Sequence, residues 1–148
     1  MNGRPVMSDH RLRGFTLLEL LVVIALIAIA SASVSFAFRD SSDTQLQREA
    51  DRLAALLDSA RSRSRTLGMP VYWRAVAGGF RFEGLPSGTL PEAWLDGGTT
   101  VVDNGVLILG PEPILARQGT VIALAGRRLL VVTDGVRPFV VVPVGTAP

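Results

Sequence analysis

Residues 20–38 run nineteen positions without a charge, LLVVIALIAIASASVSFAF. As a helix rising ~1.5 Å per residue, this run covers ~28 Å, close to the hydrocarbon thickness of a bilayer. Residues 15–18 extend the apolar run to 24 positions, with Glu19 as its sole charge, and Arg39 with Asp40 closes it. The expectation is a membrane-spanning helix with a folded part attached. Two other readings fit the same run. Ala30-Ser31-Ala32 offers a signal-peptidase site, although the run exceeds the roughly 7–15 apolar residues of a secretory signal. An uncleaved anchor is the second. A buried helix of a soluble protein is a poor fit to so unbroken a stretch.

Charge is distributed to match. All 15 basic residues are arginine, and the net charge is only +2. Residues 1–14 carry Arg4, Arg11 and Arg13 against Asp9, so they hold the whole surplus; residues 15–148 balance 12 arginines with 12 acids. A nucleic-acid-binding domain concentrates cations on its folded part. A basic flank beside an apolar run instead marks the cytoplasmic side, with everything after Asp40 across the membrane. There is no cysteine, hence no disulfide framework and no thiolate chemistry. Gly78-Gly79 and Gly97-Gly98 lack the lysine and helix entry of a phosphate loop.

Glu19 needs an explanation. A carboxylate in a spanning helix costs about 2.5–3.5 kcal/mol at mid-bilayer and less near the interface. No cation lies within a turn on its C-terminal side, and Arg13 is the nearest on the other. A partner from another chain would satisfy it; a first-turn acid favoured by the helix dipole is the simpler alternative.

The segment Arg13-Gly14-Phe15-Thr16-Leu17-Leu18-Glu19-Leu20 resembles the class III signal of type IV pilins and pseudopilins: a basic leader, Gly before the cut, Phe after it, and Glu as fifth residue of the mature chain. The resemblance implies that a prepilin peptidase cuts between Gly14 and Phe15 and that Phe15 is then N-methylated. It also implies that Glu19 of one subunit pairs with the Phe15 amine of its neighbour, setting assembly register. Gly14 suits such a cut because its bare backbone can lie close in a cleft. The leader counts 14 residues from Met1, or 8 from Met7, and both lengths suit the family. The only histidine, His10, lies in this leader. The mature chain would therefore hold no His-based metal site, acid–base pair or hydrolase triad.

Beyond the membrane the helix is expected to continue. Leu46, Ala50, Leu53, Leu57, Ala60, Ser64 and Leu67 fall at spacings of 4 and 3, Leu56 widens the stripe, and Arg48, Asp51, Arg52, Asp58, Arg61 and Arg65 mark the opposite face. This is an amphipathic helix lying on a core, although a short coiled coil shares the pattern. Gly68 and Pro70 end it. A helix running unbroken over residues 15–67 would be ~80 Å long. Short strands follow: 71–76 and 80–83 around Ala77-Gly78-Gly79, 99–102 and 106–109 as a hairpin around Asp103-Asn104-Gly105, and 120–124 and 128–133 around Gly126-Arg127. Asp134-Gly135 then turns the chain into 139–144. The fold expected is α+β and pilin-like: a long N-terminal helix packed on an antiparallel β-sheet domain of six or seven strands. Its divisions are a leader (1–14), a transmembrane helix (15–39), an amphipathic periplasmic helix (40–68) and a β-rich domain (69–148).

The closest family resemblance is to the GspH minor pseudopilins of type II secretion, with the FimT minor pilins of type IV pili sharing the domain. It rests on LAALLDSARSRSRTLG at 53–68 leading into Val71-Tyr72-Trp73-Arg74, on the Gly-Gly-Phe hairpin, and on the apolar strands around Thr133-Asp134-Gly135. It implies a single-pass inner-membrane protein with a periplasmic domain, at or near the tip of a short filament. Its partners would be other major and minor pseudopilins, the prepilin peptidase, the inner-membrane assembly platform and membrane lipid. No catalysis, cofactor, metal or small-molecule substrate is expected. FimT-like DNA binding would fall to Arg127, Arg128 and Arg137, which otherwise read as solvated strand and turn residues; the neutral mature chain argues for the latter. Asp96, Asp103 and Asn104 suit turns better than a calcium site. Tyr72, Trp73 and Trp94 read as core or subunit-contact residues.

Overall fold

The computed structural model describes residues 16–103 and 105–145; the side chains of residues 32–41 lie outside that description. One helix, α1 (Leu17–Leu67), precedes seven strands: β1 (Tyr72–Val76), β2 (Gly79–Glu83), β3 (Thr100–Val101), β4 (Val106–Ile108), β5 (Gln118–Leu124), β6 (Arg127–Thr133) and β7 (Val140–Pro143). The fold is α+β, a helix followed by antiparallel sheet, as the sequence predicts. The chain divides into two compact units, Met1–Phe38 and Arg39–Pro148.

The first unit carries a run of apolar side chains. Ten large ones between Leu17 and Ile29 are 42–82% exposed. Among the described residues no helix is long and apolar enough to cross a membrane. The predicted span, residues 20–38, continues past Ser31 into side chains outside the description.

The second unit is built on the amphipathic stripe. Leu46, Ala50, Leu53, Leu57, Ala60 and Ser64 are all buried, and Leu56 packs against them. Each fully buried leucine is worth about 1.5–3 kcal/mol over an exposed one. Leu67, predicted to continue the stripe, is instead exposed. The helix is already closing there. Gly68 adopts φ +64°, and the Met69 N–H donates to the Ser64 carbonyl at 3.3 Å. This six-residue closure needs a left-handed residue, which glycine supplies without penalty.

The strands form two antiparallel sheets, β2-β1-β4 and β3-β5-β6-β7, where the sequence suggested one. Trp73 of β1 pairs with Phe82 on one side and Leu107 on the other, and all three are buried. Phe80 adds an edge-on contact with Trp94 at 4.6 Å. From the second sheet Ile122, Leu124 and Val131 join the same core. Gln118 couples the sheets. Its carboxamide accepts the Ile108 N–H at 2.9 Å and donates to the Ile108 carbonyl at 2.5 Å, occupying the β4 edge as a strand would.

Three local expectations are corrected. The hairpin predicted around residues 103–105 does not form: β3 pairs with β5, and β4 pairs with β1. The Asp103 carboxylate accepts the Gly105 N–H, the Thr120 hydroxyl and the Val121 N–H. Those bonds hold the turn against β5 and pass the chain from one sheet to the other. The β5–β6 hairpin does form, but Arg127 already belongs to β6. The two turn residues are Ala125 and Gly126, both with positive φ, as a type I′ turn requires. Finally, Arg61 is buried, not solvent-facing. Its guanidinium donates to the Arg137 carbonyl at 3.0 Å and to the Gly135 carbonyl, tying α1 to the turn before β7.

A second buried charge escaped the sequence reading. Glu49 is 1% exposed. It accepts the Leu95 N–H at 2.6 Å and the Asp96 N–H at 3.3 Å, and pairs with Arg52 at 3.1 Å. Arg52 also donates to the Ala93 carbonyl at 3.0 Å. The pair fastens the strandless segment after β2 to the helix. Glu49→Ala removes the charged acceptor of two backbone N–H groups and the partner of Arg52, and is expected to destabilise residues 39–148 by about 1–3 kcal/mol. Urea unfolding would give the size of the loss, and amide exchange should accelerate first at Leu95 and Asp96.

Candidate functional site

The predicted cleavage pair, Gly14 and Phe15, lies outside the described residues. The next residue begins the helix. Thr16 caps it: the Glu19 N–H donates to Thr16 Oγ1 at 3.2 Å, and the Leu20 N–H donates to the Thr16 carbonyl at 3.1 Å. Thr16-Leu17-Leu18-Glu19 is the T-x-x-E pattern of a capping box, a role for Thr16 that the residue pattern displays and the sequence reading passed over. Glu19 lies in the first helical turn, where the dipole favours a carboxylate. The cap bond uses its backbone N–H. Among the described residues no side chain pairs with its carboxylate, and it is exposed amid exposed Leu17, Leu18, Leu20 and Leu21. The site is thus one acid within an apolar collar.

The three candidate DNA-contact arginines do not converge. Arg127 Nε donates to Asp43 Oδ1 at 2.6 Å, and its terminal nitrogen pairs with Oδ2. Arg128 is its exposed neighbour on the same hairpin. Arg137 lies beyond the far end of β6, beside Asp134 at 3.3 Å. The seven residues of β6 separate the two places by roughly 20 Å at ~3.3 Å per residue. Asp96 and Asp103 serve turns, Asp96 accepting the Gly98 N–H at 2.8 Å. Among the described residues no three His, Cys, Asp or Glu side chains gather as metal ligands.

Comparison with known proteins adds two likenesses. The family described as "Prokaryotic N-terminal methylation motif" matches residues 10–35, which contain Gly14, Phe15 and Glu19. The Escherichia coli (strain K12) protein named "Type II secretion system protein H" is 36% identical over 84 residues, covering 55% of this chain and 48% of that protein. The chain is similar to the GspH-like pseudopilins. The chain spans about half the length of the curated relative it matches. No solved structure matches it significantly.

The carboxylates of residues 39–148 divide by environment. The hydrogen bond from Arg127 holds Asp43 below the ordinary 3.8 against the opposing effect of desolvation, and the arginine's charge adds to the lowering. The N–H groups of Arg137 and Val136 hold Asp134 below it too. Burial pushes Asp58 above it, offset in part by the Phe139 N–H. The signs for stability are opposite. Asp43 and Asp134 contribute above the unfolded pKa and lose that contribution as pH falls through their lowered values. Asp58 favours the folded state increasingly as pH falls through its raised value. A carboxyl-carbon NMR titration of residues 39–148 should place the Asp58 midpoint above 3.8 and the Asp43 and Asp134 midpoints below it.

Proposed function

We propose that this chain is a minor pseudopilin of a type II secretion system, processed by prepilin peptidase and built into a pseudopilus at or near its tip. One coincidence carries the proposal. The methylation motif falls on residues 10–35, while a separate likeness, to a protein named for type II secretion, comes from a much longer aligned stretch. In this reading residues 1–14 are the leader and residues 15–39 cross the inner membrane once, leader side in the cytoplasm. Residues 40–68 form the periplasmic half of the helix, and residues 69–148 form the periplasmic β-domain. Cleavage after Gly14 removes all the leader arginines and creates a positive amine on Phe15, which is then N-methylated.

Glu19 supplies the complement. Paired with the Phe15 amine of a neighbouring subunit, it is neutralised where either charge alone would cost several kcal/mol. A subunit added in the wrong register leaves both unpaired. The exposed apolar collar fits the same role, because lipid before assembly and neighbouring helices after it can both cover it. The partners are other major and minor pseudopilins, the peptidase and the inner-membrane assembly platform. The chain itself catalyses nothing; it is the peptidase's substrate. A FimT-like role in DNA uptake is not favoured by any observation, since Arg127 and Arg128 lie apart from Arg137.

Intact mass and N-terminal sequencing of the protein from membranes with active prepilin peptidase test the class. The expected chain begins at N-methylated Phe15. A chain starting after residues 30–32, or one retaining residues 1–14, would refute it. Glu19→Ala should be cut and methylated normally and leave the urea midpoint of the domain unchanged, while its incorporation into filaments falls at least tenfold. Normal incorporation of that variant would reduce Glu19 to a first-turn acid.

A further inference from the structure

The β5–β6 turn stands beside the stretch of α1 that holds Asp43, Leu46 and Gln47. Asp43 accepts from Arg127 through both carboxylate oxygens, which ties the turn to the helix. Asp43 lies five residues after Phe38, the last residue of the uncharged run. Whatever path the backbone takes between them, their Cα atoms are at most ~18 Å apart, at ~3.3–3.6 Å per residue. Headgroups extend ~5–7 Å beyond the hydrocarbon core, and the field of an anionic leaflet persists for a further ~8 Å. Long arginine stems project charge further still.

At this place an open groove of about 420 Å³ is walled by Asp43, Leu46 and Gln47 of α1 and by Gly126, Arg127, Arg128 and Leu129 of the hairpin. Its two cations differ. Arg127 is occupied by Asp43, whereas no hydrogen bond or ion pair reaches Arg128 among the described residues, and Arg128 is exposed. The groove therefore offers a free guanidinium above an apolar floor of Leu46 and Leu129.

We propose that this groove binds the phosphate of an anionic phospholipid headgroup, with Arg128 as its donor and the Asp43–Arg127 pair as the post that holds the turn in place. The inference rests on the membrane reading of residues 20–38. A duplex fits the place less well. Nucleic-acid affinity comes from several phosphates neutralised together, and here one cation is free, Arg137 is at the other end of β6, and residues 15–148 are neutral. A leaflet needs only one headgroup per groove, and the chain keeps Asp43 within ~18 Å of the end of the uncharged run.

The test uses the full chain in nanodiscs of phosphatidylcholine alone or with added phosphatidylglycerol. Amide exchange is followed at residues 125–128, with β1 as internal reference. The expected result is several-fold slower exchange at the turn only when phosphatidylglycerol is present. Arg128→Glu and Arg128→Gln should both abolish that difference while leaving β1 unchanged. Equal exchange in the two lipids, or a difference that survives in both variants, overturns the proposal. So does protection by duplex DNA added to neutral discs in place of phosphatidylglycerol. A chain that fails to insert overturns the membrane reading as well, whereas one that inserts without a lipid effect overturns the groove alone.

Discussion

One helix serves two surroundings, and the rest of the structure depends on how it divides them. From Leu46 to Ser64, α1 hides a stripe of leucine, alanine and serine under two sheets. From Leu17 to Ile29 it shows large apolar side chains on every side. The first arrangement is that of a helix lying on its own core; the second leaves its apolar side chains exposed. The β-strands therefore attach where the pattern is amphipathic.

Attachment of the sheets relies on buried charge as much as on apolar packing. Glu49 and Arg61 both point from the helix into the domain and both bind backbone: Glu49 the N–H groups of Leu95 and Asp96, Arg61 the carbonyls of Gly135 and Arg137. Each secures a segment with no strand of its own. Such segments would otherwise bury peptide groups without partners, which costs more than the bonds themselves contribute. The two residues act as clasps at separate points along the helix, Glu49 with Arg52 on the loop after β2 and Arg61 with Asp58 on the segment before β7.

Much of this was legible beforehand, and the misses share a cause. The helix, its end at Gly68 and most strands follow from periods of 3.6 and 2 and from glycine at turns, all of which are local. Glu49 and Arg61 read as solvent-facing or went unremarked, because a charge is buried only when its partners arrive from more than 40 residues away. The Asp103-Asn104-Gly105 hairpin failed for a similar reason: β1 and β5 competed successfully for the two flanking strands, and no local signal carries that information. The candidate arginines looked like a single cluster because Arg127, Arg128 and Arg137 are near in sequence, yet one full strand separates them in space. Glu19 stands out in the sequence for the opposite reason, since a lone acid in an apolar run is anomalous in any fold.

The two roles weighed for Glu19 turn out to use different atoms. As third residue after the cap, it gives its N–H to Thr16 Oγ1 and places its carboxylate in the favourable field of the helix N-terminus. That field lowers the cost of carrying a charge among leucines but does not consume the carboxylate, which remains exposed. A capping acid whose side chain reached back to bond the Thr16 N–H would be satisfied within its own chain and would have less reason to seek a neighbour. Here Thr16 completes half of the box, and the other half is open. The local arrangement thus uses the Glu19 backbone for the cap and leaves its carboxylate exposed, as the proposed pairing with a neighbouring subunit requires.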